Sequence, residues 1–166
     1  NGFFPSVGNE SDDNFSLLLS YFNSQNIIRQ NHYLWAQDAL DETDWTYMYQ
    51  IVLNANIAIE TVDKQPSSLR NTLQANSIKG AAYFFRALGF FNVAEYYSSP
   101  YDSSKASILL GIPLRLSSEV GEVSSRTTME QTWQQIVSDL KVGISLLPVT
   151  NQPLSRPSRV AAYAML

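Results

Sequence analysis

Few residues in this chain have side chains suited to chemistry. Cysteine is absent and His32 is the only histidine among 166 residues. That removes disulfides, thiolate zinc sites, iron–sulfur clusters and cysteine nucleophiles, and leaves one imidazole for base chemistry. His32 lies beside Tyr33 and Trp35 with Asp38 six positions on, and no nucleophile elbow or HExxH spacing surrounds it, so it reads as a packing or surface histidine. Asp38, Asp41, Glu42 and Asp44 form an acidic group without the alternating ligands and central glycine of a calcium loop. Helix-start electrostatics accounts for them, and no metal or cofactor is expected. The aromatics are more suggestive. Tyr33, Trp35 and Trp45 cluster near amides, carboxylates and Arg29, and ring faces beside planar polar groups are what a sugar-binding surface needs. Arg29, Trp35 and Asp38 are the cleaner surface candidates; Trp45 also fits a buried helix stripe, so it is equally a core residue.

These residues must be positioned by helices. Phe15, Leu18, Leu19 and Phe22 recur at i, i+3, i+4 and i+7, which predicts a helix over 11–23, and residues 24–43 read as a long irregular connection. A helix is expected over 44–64, ending before Pro66, with Trp45, Met48, Tyr49, Val52, Ala55 and Ile59 on its apolar face. Another is predicted over 67–97, with Gly80, Ala81, Ala87 and Gly89 permitting close contact with a neighbour. Residues 98–125, with Pro100, Gly111, Pro113 and Gly121, form a connection long enough to suggest a role of its own. Thr127 and Glu130 have capping-box spacing ahead of the stripe Met129, Trp133, Ile136, Leu140, Ile144 and Leu147. A last helix begins near Pro157 or Ser158 and reaches the final residue, so the chain is expected to be one α-helical domain at the front of a longer protein. No segment alternates convincingly at period two, and the fold class is all-α.

Composition sets the surface. Charged residues are 16%, against about 25% in an ordinary soluble domain, while Ser (21) and Asn (12) are abundant and aromatics reach 12%. The surface is neutral and polar. Net charge is −4 and the basic residues are scattered, which argues against nucleic acid. No apolar run approaches the ~18 residues of a membrane span.

Four stretches together resemble the SusD/RagB family of outer-membrane nutrient-binding lipoproteins: WTYMYQIVLNAN (45–56), IKGAAYFFRALGFFNVAEYY (78–97), GIPL (111–114), and SRTTMEQTWQQIVSDLKVGISLLP (125–148) followed by RPSRVAAYAML (156–166). The family has a glutamate where this chain has Ala81, so Arg86 must find another acid or backbone carbonyls. The resemblance implies a tetratricopeptide-like helical array with long inter-helix loops. It further implies non-catalytic capture of an oligosaccharide or polysaccharide at the outer-membrane surface of Bacteroidetes-type bacteria. The partner implied is a SusC-like TonB-dependent transporter, with the membrane engaged only through a lipid anchor absent from this chain. The alternative is a helical-repeat module that binds a transporter or peptide.

Overall fold

The computed structural model describes residues 7–37, 39, 42–150 and 153–166, and the chain forms two compact units, 1–48 and 49–166. Helices dominate both.

The first unit holds α1 (Val7–Glu10), α2 (Leu19–Ser24), α3 (Ile27–Tyr33) and the start of α4 (Glu42–Asp63). The helix expected over 11–23 is replaced by a turn and the short α2. Asp12 accepts hydrogen bonds from the backbone and side chain of Asn14, a local turn that competes with helix nucleation. Leu18 and Leu19 are 78% and 73% exposed, so the apolar spacing does not face a core. Phe15 and Phe22 instead flank the Tyr33 ring, with centroids 6.0 and 5.8 Å away, and the Tyr33 hydroxyl accepts from the Leu17 amide. The stretch expected to be irregular contains α3, started by Asn26, whose side chain accepts from the Arg29 amide at 3.0 Å. α4 begins two residues earlier than expected, with Glu42 and Asp44 in its first turn where the helix dipole favours anions.

In the second unit the predicted 67–97 helix is divided into α5 (Ser67–Arg70) and α6 (Leu73–Tyr97). The break falls at Thr72, whose side chain accepts from the Ala75 amide and starts α6 afresh. β1 (Leu110–Pro113) and β2 (Arg126–Thr128) form an antiparallel ribbon with Leu110 opposite Thr128 and Pro113 opposite Arg126. The ribbon leads into α7 (Met129–Leu146), and α8 (Arg159–Met165) packs on α7. Met129, Ile136, Leu140 and Leu147 of the predicted stripe are at most 2% exposed. The capping box is one residue later than expected, at Thr128 and Gln131. Thr127 is unavailable because its hydroxyl donates to the Ile112 carbonyl at 2.8 Å.

Glycine sets the α6–α7 distance. A Cβ on Gly80 would lie 3.0 Å from Leu146 and Leu147 side-chain atoms, and one on Gly143 would lie 3.3 Å from the Gly80 carbonyl. Across this contact Arg86 finds its acid. Its guanidinium donates twice to Asp139, both bonds at 2.7 Å, and once to Asn56 Oδ1 at 2.9 Å. All three residues are at most 6% exposed, and Tyr83 covers the guanidinium 5.0 Å from its ring centroid. Asp139 on α7 thus supplies the acid that Ala81 on α6 cannot. None of the described helices is long and apolar enough to cross a membrane.

Candidate functional site

Of the sequence candidates, Arg29 and Trp35 lie on α3 and the turn that ends it. Arg29 is on α3 with its side chain 56% exposed, pairing with Glu10 at 3.3 Å and donating to Gln25 Oε1 at 3.4 Å. Glu10 also meets His32 Nδ1 at 2.7 Å, so one carboxylate ties α1 to two α3 side chains. His32 is 2% exposed and its Nε2 has no hydrogen-bond partner among the described residues. It is a packing histidine, one of the two roles its sequence context suggested.

Trp35 is held in an unusual conformation. After α3 the Trp35 amide donates to the His32 carbonyl at 3.1 Å and the Ala36 amide to the Asn31 carbonyl at 2.9 Å, the paired bonds of a Schellman helix end. Such a turn needs a left-handed residue and usually takes glycine. Here Trp35 takes it, with φ 54°, the one non-glycine residue with positive φ among those described. The ring is presented outward, the residue being 72% exposed. A left-handed conformation costs an L-residue roughly 1–2 kcal/mol. With the residue so exposed, packing against the described residues offsets little of this strain. Trp45, in the first turns of α4, is half-buried, and Asp38 lies outside the described residues.

The second unit presents polar and aromatic features that sequence reasoning did not place. Loop 114–125 is fastened to α4: the Asn56 side chain donates to the carbonyls of Arg115 and Ser117, both at 2.9 Å. Glu60 accepts from the Ser118 amide and hydroxyl, both at 2.7 Å, and those two bonds hold its carboxyl below the usual range. The Arg115 guanidinium donates to the carbonyls of Glu119 and Glu122, closing the loop on itself. Asn56 therefore links the buried Arg86–Asp139 pair to an exposed loop. Burial pushes the Tyr49 hydroxyl's pKa up, and it donates to the Pro113 carbonyl at 2.7 Å. A separate aromatic row joins Phe91 of α6, Trp133 of α7 and Tyr101 of the intervening loop. The signal for Tyr101 was its place after Pro100 in the long serine-rich connection. No group of three or more metal-ligating side chains occurs among the described residues.

Residues 4–166 match a SusD-like family described as "Starch-binding associating with outer membrane", and the chain belongs to that family. Its fold is the all-α, tetratricopeptide-like array of helices with long connections. Among solved structures, the chain is similar to a SusD superfamily protein from Bacteroides thetaiotaomicron VPI-5482, with 25% identity and a TM-score of 0.70 over 81% of this chain and 30% of that one. A SusD-like carbohydrate binding protein from Bacteroides fragilis NCTC 9343 shares the fold at 15% identity and a TM-score of 0.65, covering 86% of this chain and 27% of that one. Surface glycan-binding protein A from Bacteroides fluxus does so at 14% identity and a TM-score of 0.58, covering 75% and 24%. The chain thus spans less than a third of the length of these structures. No curated protein matches the sequence.

Proposed function

We propose that this chain belongs to a protein that captures glycans at the outer face of the outer membrane and passes them to a SusC-like TonB-dependent transporter. It acts by ring stacking and hydrogen bonding and catalyses nothing. Family membership over residues 4–166 carries this reading, and the outward, left-handed Trp35 supports it. In the first unit Trp35 is the stacking platform, with Arg29, Asp38 and Trp45 as further ligand-binding candidates. Arg29 would contribute whichever of its donors Glu10 and Gln25 leave open to solvent. A planar aromatic with a few placed polar groups suits a sugar better than an extended peptide, which needs a strand edge or groove.

Isothermal titration of the whole protein against starch, other polysaccharides, oligosaccharides and a peptide panel tests the reading. Glycan binding with an aromatic-dependent enthalpy is expected. Binding to peptides alone, or to nothing, overturns it. Co-purification from outer membranes tests the transporter, and recovery of a barrel protein is the expected result.

A further inference from the structure

The long connection after α6 holds a second aromatic surface. Trp133, in the second turn of α7, has Phe91 against it at 5.7 Å between centroids with planes at 80°, and Tyr101 at 5.9 Å with planes at 75°. Both are edge-to-face contacts, so Trp133 fixes the tilt of each neighbouring ring. Phe91 and Trp133 are half-buried, whereas Tyr101 is 52% exposed and its hydroxyl has no hydrogen-bond partner among the described residues.

The backbone around Tyr101 is fastened as well. Asp102 Oδ1 accepts from the Ser104 amide at 2.9 Å and the Ser104 hydroxyl at 2.6 Å, and the Lys105 amide donates to the Asp102 carbonyl at 3.0 Å. Farther along, the carbonyls of Ala106 and Leu109 accept from the Glu130 and Met129 amides, which docks the loop on the first turn of α7. The result is an exposed ring that is already held in place beside a carboxylate. Among the described residues Asp102 Oδ2 meets only Lys105 Nζ, 3.8 Å away, and the Asp102 side chain is 44% exposed. The two Ser104 bonds lower the Asp102 pKa, so the carboxylate is ionised at neutral pH.

We propose that Tyr101 and Asp102 form a second glycan contact in this protein, with the apolar face of a pyranose ring on Tyr101 and one of its hydroxyls donating to Asp102 Oδ2. The assignment rests on the carbohydrate-binding reading above and adds a site in the second unit to the Trp35 surface of the first. Pre-ordering matters here. A free surface tyrosine loses rotamer freedom when a ligand stacks on it, and Trp133 has already removed that freedom.

The test is titration of the whole protein and its variants with starch and the polysaccharide and oligosaccharide panel used above, alongside melting curves. Tyr101→Ala is expected to weaken binding about tenfold, as truncating an aromatic anchor does. Tyr101→Phe keeps the stacking ring and stays within about twofold, and Asp102→Asn, which retains the Ser104 turn but not the charge, falls between them. Should Tyr101→Ala unfold, Asp102→Asn still decides the matter, since its carboxylate makes no buried contact. Unchanged affinity in Tyr101→Ala and Asp102→Asn, with wild-type binding intact, overturns this site alone and leaves Tyr101 as a loop anchor. A wild type that binds no glycan overturns the carbohydrate reading and this site together.

Discussion

The two units solve the burial of polar groups in opposite ways. In the second, Arg86 and Asp139 are at most 6% exposed and each guanidinium nitrogen of Arg86 reaches an acceptor, two on Asp139 and one on Asn56. In the first, His32 is just as deeply buried but one ring nitrogen has no partner among the described residues, and Glu10 on its other nitrogen is shared with the exposed Arg29. Both units leave large apolar side chains in solvent, Leu18, Leu19 and Trp35 in the first and Leu73, Ile108 and Val123 in the second, but the second also closes Phe90, Ile112, Leu140 and Leu147 into a core. A network in which each buried nitrogen and carboxylate oxygen has a partner can act as scaffold, because those atoms have their alternative to water. A partly satisfied one with outward aromatics is better suited to contact with something else.

The largest test of this contrast is Asp139→Ala. Removing one partner of a buried ion pair strands the other, and about 3–5 kcal/mol of stability is expected to go. Denaturant unfolding of the whole protein measures it. Hydrogen exchange should also show loss of protection in loop 114–125, because Asn56 joins Arg86 to the carbonyls of Arg115 and Ser117. A change below about 1 kcal/mol would show that the network is not what holds this unit.

A smaller effect is expected from Gly111→Ala, which tests close packing without touching charge. A Cβ there would lie 2.1 Å from the Thr132 hydroxyl and 2.7 Å from the Thr128 carbonyl, at the junction of the β-ribbon and α7. The carbonyl is backbone and cannot swing aside, so a loss of roughly 1–3 kcal/mol is expected from overpacking. A melting temperature equal to wild type would mean the ribbon shifts freely on α7.

How much of this was legible depends on whether local sequence or a distant partner decides. α7 could be read because its stripe is long and its periodicity uninterrupted, yet its cap could not be fixed. Thr127 and Thr128 both have a Glu or Gln three residues on, and the Ile112 carbonyl that occupies Thr127 comes from 15 residues away. The acid for Arg86 lies 53 positions along the chain, so the missing glutamate at position 81 announced a need without naming its answer. The ribbon strands are four and three residues long, too short for alternation to register. In the first unit Phe15, Leu18, Leu19 and Phe22 match a helix pattern whose driving force, a core to face, is missing at Leu18 and Leu19. At the candidate site the sequence displays Trp35 and its chemistry, but nothing in the residues around it signals a left-handed turn. Glycine or asparagine is the signal for that, and a tryptophan conceals it.

Trp35 supplies the smallest expected change in stability and the sharpest division between scaffold and contact. Trp35→Gly keeps the left-handed turn but removes its cost of about 1–2 kcal/mol to an L-residue, while glycine adds about 0.4–1 kcal/mol of unfolded-state freedom. The two nearly cancel, and the melting temperature should hold or rise slightly. Trp35→Ala keeps the strained backbone and deletes the same ring, so it should be no more stable than Trp35→Gly. If the ring is a glycan platform, both variants lose affinity equally despite their difference in stability. Were Trp35 instead a packed residue, both would melt earlier and glycine would bring no relief. Affinity and melting temperature measured on the same two variants therefore separate a residue strained for contact from one strained by its fold.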